Sequence, residues 1–516
     1  MKKILIYDIE CFLEVFFIGI YVPEEDKRYE FTVSKWENNL ETFVRFTEAY
    51  NDYFWTGYNN LKYDSQIIEW VLRSYMDWYE LTGLEICAKI SQESTDNIDN
   101  SNYGLFSRYR EQDLTLKQLD LPCIWHFFNE NRRLSLKALE FSMNYENIEE
   151  LPLHFLTKNL TKEQVDEVKA YCFNDIMATY YFYLITIGQT DLKLYKGKNK
   201  IKDREIIEEE IGLKCLNFDD VKIGAEWNKL DYCTITGKNE RNLKPKFTNH
   251  FYGKKYKQFF PKTVDFKTKE LKQFVKEFGE TFIINKKQEF TYKFNDKLTV
   301  NIARGGIHSQ EGARWLIPTE SQIYLQCDIG SQYPNAIRKY KVYPSHLGIE
   351  WNEMLVSKIQ RRLHYKKLAK ETKDPKYESL QEMGKLSLNG GAYGRLNTQG
   401  DWQEDPCAML KVTIGCQLEI LMIVEALILK GFNITSCNTD GFDALIDKSR
   451  EVEFKEICSI YEEKIGNKEM GNIEYTQFQW IAQTSVNDYI ALKMDGTCKN
   501  KRACSITLPS WQVLPI

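Results

Sequence analysis

ITSCNTDGFDAL, residues 434–445, decides how the second half of this chain is read. Asp440 stands between two apolar runs and is followed at once by Gly441. Asp-Gly flanked by apolar residues is the strongest short-range signal of a β-hairpin turn. A carboxylate is also an oxygen ligand of the kind a hard cation prefers. The local residues leave both readings of Asp440 open, turn residue or metal ligand, and the rest of the chain has to separate them.

The chain has 516 residues, enough for two to four domains with real cores. Its 43% hydrophobic and 28% charged residues are those of an ordinary globular protein. A formal net charge of −5 excludes a uniformly basic nucleic-acid binder, so any such surface must be a local stripe. Aromatic residues are plentiful, which large cores explain and base stacking would also use. Thirteen cysteines are scattered with no CxxC pair. That argues against zinc ribbons and a disulfide framework and for thiols in a reducing cytoplasm. The start, MKKILIYDIE, does not read as a signal peptide. LEILMIVEALILK, 418–430, contains Glu419 and Glu425 and reads as a core helix, with no membrane expected.

YDIE closes the first strand-like run, and Asp8 and Glu10 leave a strand on the same face. At ~4 Å and an effective dielectric near ~20, two such charges repel by about 4 kcal/mol. One carboxyl would take up a proton unless a cation lay between them. NNLKYDSQII offers Asn60 and Asp64 at a helix start, and YCFNDI offers Tyr171 and Asp175 four apart on one helical face, in a helix with Thr161 as N-cap. Taken in order, D-x-E, N-x-x-x-D and Y-x-x-x-D resemble the three exonuclease motifs of proofreading DNA polymerases. NLKYD and YCFNDI are particularly similar to small family B polymerases of bacteriophages and mobile elements. The resemblance implies that Asp8, Glu10, Asp64 and Asp175 bind two metal ions and that Tyr171 helps orient the attacking water. It also implies a DNA-binding role for Asn60. SLKAL, 135–139, resembles a Ser-Leu-x-x-apolar motif that holds single-stranded DNA, which implies that role for Ser135 and Leu136.

CDIGSQYPN places Asp328 at the end of an apolar run. It resembles motif A of family B polymerases, D-x-x-S-L-Y-P, with Gln332 in the leucine position. The resemblance implies that Asp328 binds both catalytic metals, that Ser331 and Tyr333 belong to the nucleotide site, and that the Tyr333 ring leaves no room for a 2′-hydroxyl. QRRLHYKKLAK and EMGKLSLNGGAYGRLN read as two antiparallel helices joined by a turn at Asp374-Pro375. Arg362, Lys366 and Lys385 are candidates for a triphosphate clamp. KLSLNGGAYG resembles motif B, K-x-x-x-N-S-x-Y-G: Lys385 and Asn389 match, Gly390 replaces the serine, and Tyr393 arrives one residue late. SCNTDGFDAL resembles motif C, Y-x-D-T-D-S, and gives Asp440 the ligand position, with Ser436, Asn438 and Gly441 as departures. Both readings of Asp440 then coincide, the turn presenting the carboxylate to Asp328.

Upstream, ARGGIHS resembles the Y-x-G-G loop, which implies DNA contact at Gly305 and Gly306. Downstream, VNDYIALKMDGTCKNKRA resembles the primer-holding segment, which implies DNA contact at Tyr489, with Asn487 where lysine is usual. Lys499, Lys501 and Arg502 form a basic hook suited to phosphates.

The fold class implied is α/β and α+β multidomain: an RNase H-like exonuclease domain over 1–190, a linker over 191–300, and a palm with antiparallel sheet over 301–349 and 398–516, with helical fingers over 350–397. Charge-dense runs in 191–300 read as solvated surface. Two Mg²⁺ per site, replaceable by Mn²⁺, are the implied cofactors. DNA template-primer, single-stranded DNA and dNTPs are the implied partners, in the cytoplasm (of a host, if phage-encoded). Fourteen residues follow Arg502, fewer than the helical thumb of the family would need, so the expectation is a thumb that is truncated here or supplied by another polypeptide. The expectation is low processivity unless a separate polypeptide supplies a thumb or acts as a processivity factor. The rival readings are a 3′→5′ exonuclease with a vestigial polymerase half and a nonenzymatic nucleic-acid-binding replication component.

Overall fold

The computed structural model describes residues 2–102, 107–127, 134–466 and 473–501. The chain forms two compact units, Met1–Ile223 with Lys373–Leu380, and Gly224–Thr372 with Gln381–Ile516. Residues 191–223 of the expected linker group with the first unit and 224–300 with the second.

The first unit contains β1 (Ile4–Cys11), β2 (Phe16–Val22), β3 (Lys27–Val33), α1 (Leu40–Ala49), β4 (Phe54–Gly57), α2 (Asp64–Ser74), α3 (Gly83–Asn102), β5 (Gln118–Asp120), α4 (Leu121–Ile124), α5 (Leu136–Met143), α6 (Lys162–Thr186) and α7 (Lys200–Ile211). Its sheet runs β3-β2-β1-β4-β5; the first three strands are antiparallel, and β4 and β5 continue parallel to β1. β2, FFIGIYV, is buried at every position, as a strand covered on both faces must be. The period of two in β1 sorts its side chains: Leu5, Tyr7 and Ile9 enter one core, Ile4 and Ile6 the other, with Val165, Val168, Cys172 and Ile176 of α6. Asp8 and Glu10 continue that second face, toward α6. Thr161 starts α6 with a full capping box, accepting from the Gln164 N–H at 3.3 Å while the Gln164 side chain accepts from the Thr161 N–H at 3.0 Å.

The second unit begins within α8 (Asp220–Thr236) and continues through α9 (Lys269–Glu280), β6 (Glu289–Lys293), β7 (Thr299–Ala303), β8 (Ile307–Ser309), β9 (Arg314–Leu316), β10 (Gln322–Ile329), α10 (Gln332–Lys339), α11 (Ile349–Thr372), α12 (Pro375–Asn389), α13 (Pro406–Leu429), β11 (Asn433–Asn438), β12 (Gly441–Asp447), α14 (Glu451–Lys464), β13 (Ile473–Ser485), β14 (Asp488–Lys493) and β15 (Cys498–Lys501). The first six residues of α12, through Leu380, group with the first unit. The large sheet runs β11-β12-β10-β13-β14-β15, with β9 paired to the far end of β13. Neighbouring strands along it are antiparallel.

α13 is the spine of the second core. It is longer than the apolar run read from sequence and, by length and composition, long enough to cross a bilayer; 89% of its most apolar window is buried inside the protein. Its two acids are satisfied internally. Glu419 pairs with Lys339 at 2.6 Å and accepts from the Tyr340 hydroxyl. Glu425 accepts from the Lys267 and Thr268 N–H groups at 2.8 Å each, which anchors the start of α9. Two buried acids in a largely apolar helix are tolerable only with such partners.

Candidate functional sites

In the first unit the site is built on β1, α2 and α6. Asp8 pairs across the strands with Gly19 of β2. A side chain at Gly19 would meet Ile176 Cδ1 at 2.7 Å and Cys172 Sγ at 3.2 Å, so the missing Cβ lets α6 close onto the strand beside Asp8. Cys172 Sγ then lies 3.6 Å from Asp8 Oδ2, and ligand atoms of Asp8, Glu10 and Cys172 lie within 4.8 Å of one another. Asp64 opens α2 and is buried; Asp175 is buried on α6.

Burial raises all four carboxyls, and neighbouring members of the set add to the rise at Asp8 and Glu10. Burial comes first for Asp8, with Asp64, Glu10 and Asp175 adding, and its pKa rises well above the ordinary range. Burial, then Asp175 and Asp64, pushes Glu10 up to about 8. Burial pushes Asp64 up to about 7 against the backbone N–H groups that favour its anion. Asp175 is also raised by burial, while Lys137 of α5 opposes the rise from 2.6 Å. Tyr171 lies beside these acids, its phenol raised by burial and by Asp175, with the Lys137 ammonium 4.7 Å from its ring centre. A set of carboxyls raised by burial and, at Asp8 and Glu10, by neighbouring acids is the donor chemistry that suits a hard dication, so Asp8, Glu10, Asp64 and Asp175 fit a magnesium site.

Of the expected DNA contacts on this unit, Asn60 is corrected, and Ser135 and Leu136 are placed at the start of α5. Asn60 is fully buried; its amide donates to Gln118 Oε1 at 2.8 Å and holds the turn before α2 from within. Ser135 is exposed but accepts from the Ala138 N–H at 3.2 Å as the N-cap of α5, and Leu136 packs partly into the core. The residues of this site that the motifs missed are Lys137, Cys172 and the buried Glu140, 3.5 Å from Lys137. Lys137 lies inside SLKAL itself, and Cys172 is adjacent to Tyr171. Only the packing of α5 and α6 onto β1 reveals them.

In the second unit the site is built at one end of the large sheet. Asp328 is the penultimate residue of β10 and pairs with Gly441 on one side and Glu474 of β13 on the other. The hairpin between β11 and β12 turns through Thr439-Asp440, not Asp440-Gly441, because Asn438 pairs with Gly441. The Ile329 N–H donates to the Asp440 carbonyl at 2.8 Å, which fixes the turn against the end of β10. A Cβ at Gly441 would lie 2.3 Å from the Cys327 carbonyl oxygen, so the strands approach here as only glycine allows. Gly306 is buried between β7 and β8; its Cβ would lie 2.4 Å from Thr439 Oγ1. It seats the hairpin tip and does not face outward, which corrects the DNA contact expected there, while Gly305 is exposed.

Asp328 is half-buried and raised by burial, with Asp440 and Glu474 adding and Lys499 and Lys501 opposing. Lys499 Nζ lies 3.8 Å from Asp328 Oδ2 and also donates to Gln326. Asp443, two residues beyond Gly441, is buried and pushed up to about 6, while hydrogen bonds from Tyr324 and Gln326 favour its anion. Asp328 and Asp440, with Glu474 beside them, supply the carboxylate oxygens a magnesium site needs. Period-two reading of DGFD would have put Asp443 on the Gly441 face; Glu474 depends on strand register alone.

Ser331 adopts a left-handed conformation, φ 49°, before α10. For a non-glycine residue beside a candidate site this is the kind of strain that the surrounding packing must hold. Arg362 Nη1 lies 3.5 Å from Ser331 Oγ, and a Cβ at Gly384 of α12 would lie 3.3 Å from Arg362 Cβ, so the glycine lets the two helices close over the Arg362 stem. Tyr333 packs against Tyr393 with ring centres 4.2 Å apart and the planes tilted by 35°. The late tyrosine of the motif B run is thus brought to the motif A tyrosine. Lys366, Lys385 and Asn389 are exposed, and neither lysine has an ion-pair partner among the described residues. Tyr489 is buried in a small core with Tyr324, Phe478 and Ile481, so its ring does not reach the protein surface as a DNA contact was expected to. Lys501 lies on β15; Arg502 lies outside the described residues.

No protein-family model matches the chain, and no curated protein matches it. Among solved structures, the family B DNA polymerase from the hyperthermophilic archaeon Pyrobaculum calidifontis is similar over 96% of this chain and 60% of that one, with 15% identity and a TM-score of 0.47. The chain spans about three-fifths of the length of that polymerase.

Proposed function

We propose that this chain is a template-directed DNA polymerase with a 3′→5′ exonuclease, the two activities residing in separate units. The observation that carries the reading is the pairing of Asp328 with the Asp440 turn at the end of one antiparallel sheet, with the Tyr333–Tyr393 ring contact nearby. Asp328 and Asp440 hold the divalent ions, and Asp8, Glu10, Asp64 and Asp175 do the same in the first unit. Bound magnesium supplies charge stabilisation for in-line attack at phosphorus. The protein's own groups do the positioning. Arg362, Lys366 and Lys385 offset charge on the triphosphate. The Tyr333 ring, braced by Tyr393, closes the space a 2′-hydroxyl would need. Tyr171 orients the attacking water in the exonuclease unit, and Lys137 limits the charge on Asp175.

The departure at Gly441 supports an intact polymerase site, since the close approach to Cys327 excludes a larger residue there. The rival, an exonuclease with a vestigial polymerase half, draws on Asn438 and Gly390. Primer extension by the full chain with Mg²⁺ and dNTPs separates them: template-directed extension supports the proposal, and degradation alone supports the rival.

A further inference from the structure

The lysine-dense region between the two motif groups divides in the structure. Lys255 and Lys257 are both spent on Glu280, at 2.8 and 2.7 Å, as a solvated charge run should be. Lys244 and Lys246 have no ion-pair partner among the described residues and are exposed. They line a cleft of about 400 Å³ with Lys238, Asn242, Phe247 and His346. None of its lining residues is acidic. Its floor is Leu243 and Leu347, both buried.

The cleft is held in shape. The Tyr232 hydroxyl donates to the Leu347 carbonyl at 2.6 Å, and Lys238 donates to that hydroxyl at 3.0 Å, which aims its ammonium. His346 Nε2 is tied to the Trp402 carbonyl at 2.7 Å. Phe247 is 91% exposed, the most exposed of the large hydrophobic residues described. An apolar ring set out in water between unpaired ammonium groups has no core to serve. Cations for a backbone and a bare ring for a base are the two parts of a single-strand binding surface.

We propose that this cleft binds single-stranded nucleic acid, with Lys244 and Lys246 on backbone phosphates and Phe247 stacked on a base. That the strand is the unpaired template rests on the polymerase reading; strand binding itself does not. The test is fluorescence anisotropy of the full chain with labelled oligothymidylate in EDTA, so that binding is read without metal, nucleotide or turnover. A matched abasic oligonucleotide and a polyglutamate peptide are the other probes. Phe247→Ala should weaken oligothymidylate about tenfold and leave the abasic strand unchanged. Lys244→Ala/Lys246→Ala should weaken both strands and reduce the log–log salt slope by about 1.4. Phe247→Tyr keeps a stacking ring and should bind as wild type. Unchanged oligothymidylate affinity in the variants overturns the proposal. So does a Phe247-independent loss shared equally with polyglutamate, which would make the cleft a patch for acidic proteins. A chain that binds but does not extend primers keeps this inference and loses the polymerase; one that extends with unaltered variants does the reverse.

Discussion

The two acidic clusters solve one electrostatic problem differently. In the first unit, four carboxyls come from a strand and two helices and sit among core side chains, and every one is raised by burial. In the second, Asp440 rides on a two-residue turn, half-buried Asp328 ends a strand, and Lys499 and Lys501 arrive from a distant strand. Rigid elements can hold like charges together at a high desolvation cost. A turn places its charge nearer water, where the cost is lower, but its geometry then depends on close backbone packing at Gly441 and Gly306.

The largest effects test whether the clusters are independent. Asp440→Asn should reduce primer extension by on the order of a thousandfold or more while degradation of single strands persists. Asp8→Ala should give the mirror image; a variant that loses both activities would break the separation. Next comes the turn. Gly441→Ala drives a Cβ against the Cys327 carbonyl, which cannot move without shifting β10. It should destabilise the second unit by roughly 1–3 kcal/mol, read as a lowered denaturant midpoint, and depress extension but not degradation. Gly19→Ala should cost less, about 1 kcal/mol, because its first clash is the end of the flexible Ile176 side chain; exonuclease activity should fall with extension intact. A larger loss at Gly19 than at Gly441 would reverse the contrast between rigid and turn-borne sites.

A gentler probe lies away from both clusters. Lys358 of α11 is buried against Asp231 at 2.9 Å and donates to Asn228 at 2.7 Å and Ser387 at 3.1 Å. Burial pushes its pKa down to about 7, against the pull of Asp231. Below that pH both folded and unfolded chains hold the proton, and the cost of the buried ammonium is fully present. Between about 7 and 10 only the unfolded chain holds it, so stability should rise with pH by up to about 1.4 kcal/mol per unit relative to Lys358→Met. Parallel denaturant midpoints against pH for the two proteins would sink the idea; Arg361, 2.7 Å from Asp231, keeps that carboxylate paired in the variant.

Much of this was legible in the residues. The alternation in β1 put Asp8 and Glu10 on one face, Thr161 and Gln164 marked the start of α6, and Asp374-Pro375 marked the break between α11 and α12, which the structure places at Lys373-Asp374 with Pro375 opening the second helix. Side-chain direction was less legible. Asn60, Tyr489 and Gly306 match DNA-contact motifs by spacing, yet each is turned inward, because burial depends on which neighbour closes over a residue.

What the sequence alone determined about this protein are the local periodicities, caps and turn residues, and the spacing of acids that repel unless something lies between them. Those are set by backbone sterics and by charge, which act over a few residues. The tertiary structure alone decided that Glu474 stands opposite Asp328, that Lys137 faces Asp175, that Tyr393 packs against Tyr333 and that Phe247 is left in water. Such neighbours come from strand register and helix packing between segments far apart in the chain, where contact is chosen by the shape of the whole core.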